Sequence, residues 1–186
     1  MSELPRIRDL TDPRAMRALA HPVRIALLDA LTEAGALTAT QAAEHVGESP
    51  SSCSFHLRQL AKYGFVEPAE GGRGRERPWR RAHEGLTFTD QHEGADAAMA
   101  AGALDRALRA RRDARLDAAR AARPLLPPAW QAVTGESQFL VRVTPDELRE
   151  LDETMTGLLR RFTARPDPPA GAEPVEVLLA AHRVAG

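Results

Sequence analysis

The sequence predicts a mainly α-helical fold with one small β-hairpin, an α+β architecture in 186 residues. Two short apolar-faced segments, residues 39–46 and 50–63, are separated by a tight turn and are typical of a pair of helices. The arginine-rich stretch 65–81 follows them and has the short strands and glycine-rich centre of a hairpin. Farther along, residues 94–123 contain no proline and are rich in alanine and arginine, which predicts a long helix.

The two short helices carry clear boundary signals. Thr38 and Gln41 stand three residues apart, the spacing of a capping box in which each side chain binds a backbone N–H of the other residue. Gly47 ends the first helix because glycine accepts the left-handed conformation of a C-cap. Ser49 is a candidate N-cap for the second helix, and Pro50 suits its first position, where no backbone N–H is needed.

The second helix has one apolar face and one polar face. Cys53, Leu57 and Leu60 recur at helical spacing, so we expect them to face the core. The polar residues left for the other faces are Ser51, Ser52, Ser54, His56, Arg58, Gln59 and Lys62. The hairpin that follows, residues 69–81, has glycines at its tip and is decorated by arginines. These are Arg73, Arg75, Arg77, Arg80 and Arg81.

A helix pair followed by a cationic hairpin is the pattern of a helix-turn-helix with a wing. A charge run is usually a solvated face, but in this position it suits contact with a nucleic-acid backbone or minor groove. Trp79 is expected to pack the wing onto the core rather than to stack on a base.

Three motifs in this region resemble those of ArsR-type winged-helix repressors. The run from Asp12 to Leu31 contains His-Pro-x-Arg before an apolar helix, and Ser54 to Leu60 reads Ser-x-His-Leu-x-x-Leu before the exit Gly64-Phe-Val66. The resemblance covers residues 12–90. It implies a homodimeric repressor that binds a double-stranded DNA operator, with helix 50–63 in the major groove and the wing 69–81 on the backbone or minor groove.

Short serines at the start of helix 50–63 would let it approach a groove and could donate to phosphates or base edges. Arg58 and Gln59 suit guanine and adenine edges, and Lys62 suits a phosphate. Taken residue by residue, helix capping and simple solvation explain these side chains about equally well. The predicted DNA-binding residues are Thr40, Gln41, Ser49, Ser51, Ser52, Ser54, His56, Arg58, Gln59, Lys62, Arg73, Arg75 and Arg77.

Ahead of the helix pair, residues 1–11 are predicted to be a flexible lead-in or to lie across a partner subunit. Asp12 can cap a helix that begins at Pro13, and an apolar-faced helix runs from Val23 to Ala34. A capping or packing role is the default for His21. Residues 12–92 would then form the DNA-binding domain.

Residues 93–123 are predicted to be a dimerisation helix. The larger apolar side chains on it are sparse, and alanines lie between them, which favours close packing on a second helix. The resembling family dimerises through a helix in this place. The alternative is a solvated linking helix held by charge pairs. The predicted dimerisation residues are Met99, Leu104, Leu108 and Leu116.

Residues 124–186 are predicted to form a strand–helix–strand module for dimerisation or effector binding. The strands are expected at residues 138–143 and 173–181, and a helix with an N-terminal capping box is expected from Thr144 to Thr163. A module of this size must pack on something else to bury a core. A small organic effector could bind here, although the same residues are more often plain core. The candidate lining is Met99, Phe139, Met155, Leu159 and Phe162.

No metal site or cofactor is predicted. Asp90 and His92 match half of a dimer-helix metal motif in the resembling family, but Ala103 and Arg106 occupy the positions of the other half, and half a site cannot supply four ligands. Cys53, the only cysteine, is better explained as a buried apolar residue than as a redox switch.

The charge distribution fits this organisation better than the net charge of −1 does. Residues 48–83 hold seven Lys/Arg against four Asp/Glu, whereas residues 124–186 hold six against nine. Neither a membrane span nor a signal peptide is apparent, and we find no nucleophile–base constellation or phosphate loop. We therefore expect a cytoplasmic, bacterial, non-enzymatic regulator of transcription. The alternative is a winged-helix module for protein interaction that has lost DNA binding.

Overall fold

A computed structural model describes residues 7–71, 77–83, 85–87, 94–163, 165 and 167–184. The chain divides into two compact units, residues 3–142 and 143–186. The boundary differs from those predicted after residues 92 and 123, because the long helix packs on the winged-helix core and belongs to the first unit.

The first unit contains six helices and five short strands within its described residues, and the predicted mainly α winged-helix fold is confirmed. The helices are α1 (Pro13–Leu19), α2 (Pro22–Ala34), α3 (Ala39–Val46), α4 (Pro50–Lys62), α5 (Ala95–Ala122) and α6 (Pro128–Val133). The strands are β1 (Ile7–Asp9), β2 (Ala36–Leu37), β3 (Val66–Pro68), β4 (Trp79–Arg81) and β5 (Gly85–Thr87).

The strands form two small sheets. β4 is the centre of an antiparallel sheet in the order β2-β4-β3, which is the base of the wing. β1 pairs with β5 in parallel, with Arg8 opposite Leu86. The prediction of a flexible lead-in is therefore wrong for residues 7–10, since Leu10 is fully buried and the strand before it is paired. A three-residue strand has no local signal, and its pairing depends on a partner nearly 80 residues away.

One apolar core holds the first unit together. The large side chains that solvent does not reach come from α1, α2, α4 and α5 and from the loop before α1, and they are Leu10, Met16, Leu19, Leu27, Leu31, Leu57, Leu60 and Leu104. Trp79 packs its partly buried ring against this core, as predicted for the wing. Burial of Leu57 and Leu60 orients α4, and the buried Ala42 and Ala43 place α3 against the same core.

α5 is joined to the core along its first half. Ala100, Ala101 and Leu104 are buried, and small alanines let α5 lie close to α1 and α2. Ion pairs extend the contact, because Arg111 Nε lies 2.7 Å from Asp29 Oδ2 and Arg17 Nη1 lies 2.8 Å from Asp96 Oδ1. A second arginine of α5 adds to it, since Arg115 Nη1 lies 2.9 Å from Glu33 Oε1.

The second unit contains one long helix, α7 (Pro145–Thr163). The predicted capping box is present, since Glu147 N donates to Thr144 Oγ1 at 3.3 Å and Thr144 N donates to Glu147 Oε2 at 2.7 Å. Thr144 Oγ1 also donates to Glu147 Oε2, at 2.8 Å, and the two hydrogen bonds that this carboxylate accepts from Thr144 N and Thr144 Oγ1 lower the pKa of Glu147.

The strands predicted at residues 138–143 and 173–181 are absent, and both segments lack regular secondary structure. Both segments are rich in apolar residues. A strand, however, requires a neighbouring strand for its backbone hydrogen bonds, and neither segment has one among the described residues. The strand–helix–strand prediction is thus corrected to a single helix with irregular flanks.

Candidate functional site

The turn between α3 and α4 is built from the residues that the sequence singled out. Thr38 N donates to Gln41 Oε1 at 2.9 Å, and Gln41 N donates to Thr38 Oγ1 at 3.2 Å, which completes the capping box. Gly47 closes α3 at a φ of 70°, in the left-handed region. Ser52 N donates to the Oγ atom of Ser49 at 3.2 Å, so Ser49 is the N-cap of α4. The angle between the two helices therefore depends on local hydrogen bonds as well as on the core.

α4 is fastened to the core by one face. Cys53, Leu57 and Leu60 are all completely buried, as predicted. At its end, Phe65 N donates to Leu60 O at 2.9 Å, and Arg8 Nη1 donates to Tyr63 O at 2.5 Å. The strand at the start of the unit thus holds the end of α4 in place.

The opposite face of α4 is exposed over its whole length. Ser51, Phe55, Arg58 and Lys62 are all exposed, and their spacing of four, three and four residues places them in one line along the helix. Phe55 is 51% exposed, which is unusual for a large apolar side chain in the middle of a polar stripe. Sequence reasoning missed Phe55 because its residue type was not polar, although its helical position relative to Leu57 already indicated exposure.

Most of the other predicted DNA-binding residues on α3 and α4 are half-buried or engaged in helix caps, so they are less accessible than the four residues of this line. Ser52, Ser54 and Gln59 are half-buried at its sides. The Gln41 side chain is exposed, but its carbonyl oxygen is engaged in the cap of α3. Ser49 Oγ is engaged as the cap of α4 and lies 3.0 Å from Ser51 Oγ. Thr40 is exposed on α3.

His56 does not belong to the exposed line, because its side chain is half-buried beside it. Its ring lies against the ring of His21, at the start of α2, with centroids 4.6 Å apart and planes inclined by 39°. The Nδ1 atoms of both histidines are buried and have no hydrogen-bond partner. The Nε atom of Arg24 is also buried and also lacks a hydrogen-bond partner. The packing role predicted for His21 is confirmed, and its partner is His56 on α4.

The surroundings of this histidine pair disfavour the charged imidazolium. Burial lowers the pKa of His56, with further lowering by His21 and Arg24, and Glu48 acts in the opposite direction. Burial and then Arg24 lower the pKa of His21, again opposed by Glu48. Both rings are therefore favoured as neutral groups in the folded protein.

We expect the free energy of unfolding to decrease as the pH falls through the ordinary histidine pKa of 6.5. Because folding lowers the pKa of both rings, the unfolded chain binds more protons than the folded chain in this range, and acid favours unfolding. Urea unfolding at pH values from about 7.5 to about 5.5 measures this slope. His56→Gln should reduce the slope, whereas His182→Gln, at an exposed histidine, should leave it unchanged. An equal slope in the wild type and His56→Gln would contradict the assignment.

In the described part of the wing, fewer arginine side chains are free of interactions within the protein than the sequence indicated. Arg80 Nη2 lies 2.7 Å from Glu67 Oε1 across the sheet, and Arg81 Nη1 donates to Thr32 Oγ1 at 2.7 Å. Arg77 is exposed just before β4. Arg73 and Arg75 lie outside the described residues. Arg80 is thus paired within the sheet at the base of the wing, and Arg81 joins this sheet to α2.

The thiol of Cys53 faces the core of the first unit. Burial raises its pKa, and nearby Glu48 raises it further. A thiol with a raised pKa and no exposure is a poor nucleophile. The interpretation of Cys53 as a small apolar core residue is therefore favoured over that of a redox switch.

The four residues predicted for dimerisation have different environments. Leu104 is 0% exposed in the core of its own chain and is not available to a second copy, which corrects its assignment. Leu108 is partly buried against the same core, and Leu116 is half-buried. Met99 is 73% exposed and stays available.

The candidate effector-binding residues are not enclosed. Met99 and Phe139 in the first unit, and Met155 and Phe162 in the second, are exposed, and Leu159 is half-buried. A separate cavity of about 130 Å³ lies in the first unit between α2, α3 and α5. Its lining residues are Ala26, Asp29, Ala30, Glu33, His45, Val46 and Arg111. None of the candidate residues lines that cavity, so the effector pocket stays a prediction.

Within the described residues, no group of three or more His, Cys, Asp or Glu side chains is placed to hold a metal ion. The half-motif residues Asp90 and His92 lie outside that part of the chain. No described helix has both the length and the apolar character needed to cross a bilayer.

Comparison with known families identifies a module in the N-terminal half of the chain. A family model described as a helix-turn-helix domain matches residues 19–69, from the end of α1 to just beyond β3. This match covers about a quarter of the chain and contains all of α2, α3 and α4. No curated protein matches the sequence. The chain therefore carries a helix-turn-helix domain of the kind found in DNA-binding regulators of transcription.

Proposed function

We propose that this protein is a sequence-specific DNA-binding transcriptional repressor of the ArsR type, active as a homodimer in the bacterial cytoplasm. In this proposal α4 enters the major groove of a double-stranded operator and the arginine-rich wing lies on the backbone or in the minor groove. A small organic molecule would release the complex. Two copies of α4 would contact half-sites about 34 Å apart on a near-palindromic operator.

The observation that carries the proposal is the exposed line on α4. Ser51, Phe55, Arg58 and Lys62 lie along one face of the second helix of a helix-turn-helix, and the opposite face is fully buried. A recognition helix needs this arrangement, because it must be anchored on one side and free to meet base edges on the other. The line contains two cations and no acidic side chain, which suits a groove bordered by phosphates.

The chemistry of each position suggests a role within a groove. Arg58 can bind O6 and N7 of a guanine with two hydrogen bonds, and Lys62, one turn later, can neutralise a phosphate. Ser51 lies at the start of the helix and can donate to a phosphate or a base edge. Arg77 extends the cationic surface to the described part of the wing.

Selection of bound sequences from a random double-stranded DNA pool, using the full-length protein, is the direct test. The selected sites should contain two related half-sites in inverted orientation. Affinity for a selected site should fall steeply with salt, because bound cations release counterions from DNA. A specific site whose affinity exceeds that for scrambled DNA by about a thousandfold or more would support the proposal.

The proposal would be contradicted if the selection enriched no DNA sequence and the protein did not bind DNA at low salt. It would favour a winged-helix module that binds another protein. Thermal-shift screening of small organic metabolites tests the effector separately, with the DNA complex as a second readout. Metabolites that stabilise the protein without changing DNA affinity would argue against a role in release.

Phe55 provides a prediction about the sequence of the operator. An exposed phenyl ring in the major groove has no hydrogen bond to offer, but it can contact the 5-methyl group of thymine. Replacing one thymine per half-site with deoxyuridine, which lacks that methyl group, should weaken binding by the wild type by about threefold to tenfold. Phe55→Ala should bind both DNAs with equal affinity.

The matched control for this experiment is Ser51→Ala on the same face, which should retain the preference for thymine. If no thymine position distinguishes the wild type from Phe55→Ala, then Phe55 does not read the methyl group. The proposed function would survive that result, because it depends on specific binding and not on this contact.

A further inference from the structure

α7 carries an apolar stripe with the spacing of a coiled coil. The large residues recur at intervals of three, four, three and four positions, the a and d positions of a heptad repeat, and they are Leu148, Leu151, Met155, Leu158 and Phe162. Their exposure ranges from 36% at Leu148 to 66% at Phe162. Among the described residues, each of these five side chains therefore keeps at least a third of its surface exposed, and an exposed apolar stripe of this length is typical of an interaction surface.

The charge of α7 is polarised along its length. Residues 146–153 contain five acidic side chains and one arginine, whereas residues 158–165 contain three arginines and no acidic side chain. Compensation of the helix dipole explains acidic groups in the first turn, but the dipole effect is confined to the helix ends. Glu150, Asp152 and Glu153 lie beyond the first turn, so the dipole effect does not account for the charge polarity of the whole helix.

The polarised charge distinguishes between the possible partners of the stripe. If two copies of α7 paired in parallel, the acidic halves would lie side by side and repel each other. If they paired antiparallel, the acidic half of each helix would lie beside the basic half of the other. The helix is thus complementary to a second copy of itself in one orientation only.

We infer that α7 is a self-association site that pairs antiparallel with α7 of a second copy of this chain. In this pairing Leu148 lies opposite the partner's Leu158, and Leu151 lies opposite the partner's Met155. Glu147 then lies near the partner's Arg161. This inference deepens the homodimeric part of the proposed function and rests on that part, but it does not depend on DNA binding.

Sedimentation equilibrium of the full-length protein tests the association. Met155→Glu places a carboxylate in the centre of the stripe and should weaken self-association at least tenfold. The matched control is Gly157→Glu, which adds the same carboxylate on the opposite face, where a new Cβ meets no neighbouring atom within 4 Å. Helix content from circular dichroism checks that both variants stay folded.

Disulfide cross-linking tests the orientation. Leu148 and Leu158 are ten residues apart on one helix, about 15 Å, which is too far for a disulfide within one chain. The double variant Leu148→Cys/Leu158→Cys should therefore form covalent dimers on mild oxidation, and Leu148→Cys alone should not. The buried Cys53 is present in both variants and in the wild-type control.

The following results of these two experiments would contradict the inference. Unchanged self-association in Met155→Glu would place the contact between copies elsewhere, for example on α5, and would leave a homodimeric repressor possible. Cross-linking of Leu148→Cys alone would indicate parallel pairing, and a double variant that does not cross-link would exclude the proposed register. A wild type that is monomeric at every concentration would contradict the inference and the dimer together, and DNA selection with the same preparation would test the repressor separately.

Discussion

Replacing Leu104 with alanine is expected to lower the free energy of unfolding of the first unit by about 2–5 kcal/mol. Leu104 lies on α5 but is completely buried in the winged-helix core. Truncation removes the transfer free energy of its side chain and leaves a cavity that alanine-rich neighbours cannot fill. α5 would then lose its main apolar contact with α1 and α2, to which it is also joined by the Arg111–Asp29 ion pair.

Urea unfolding followed by circular dichroism measures this loss, and Met99→Ala is the matched control. Met99 lies on the same helix but is 73% exposed, so its truncation should change stability by less than about 0.5 kcal/mol. An equal decrease in the free energy of unfolding in the two variants would show that burial of Leu104 does not stabilise the core more than the exposed Met99 does. If Leu104→Ala kept the stability of the wild type but lost self-association, Leu104 would be assigned to a dimer interface, as the sequence predicted.

Replacing Arg58 with alanine should weaken binding to a selected operator by about 1–3 kcal/mol, or roughly five- to 150-fold, and should relax the base preference at one position of each half-site. Arg58 is exposed at the centre of the line on α4, and no acidic side chain lies on that line. A guanidinium that binds two atoms of one guanine distinguishes it from the other bases, whereas a contact with phosphate does not.

Fluorescence anisotropy on the selected site and on single-base variants of it separates these two kinds of contact. Lys62→Ala should weaken binding to all sequences evenly and reduce the slope of affinity against salt by about one. Arg14→Ala removes the same charge from an exposed position on α1 and serves as the control. If Arg58→Ala weakened all sequences evenly, Arg58 would be assigned to a phosphate, and another residue of α4 would have to specify the base.

The helix-turn-helix could be predicted from the sequence because its signals are local. The capping box of α3, the left-handed Gly47 and the cap at Ser49 each act within four residues, and all three are confirmed. The buried face of α4 follows from helical periodicity in the same way. The match to a helix-turn-helix domain covers this part of the chain.

Features that depend on contacts between distant residues could not be predicted in this way. β1 forms because β5 is available to pair with it, and residues 138–143 form no strand because no segment that the structure describes pairs with them. His56 has a polar side chain on α4, yet its ring lies against His21, 35 positions earlier. Sequence pattern alone could not separate it from its exposed neighbours.

The sequence by itself determined the boundaries of α1 to α5 and of α7, the turn between α3 and α4 and the apolar stripe of α7, whereas α6 was not predicted. Each of these depends on backbone hydrogen bonds or on periodicity within one segment. Only the tertiary structure decided which face of α5 is buried, and which cations stay exposed on α4 and the described part of the wing. The physical reason is that burial depends on neighbours that the fold brings from distant parts of the chain, and a local pattern does not specify them.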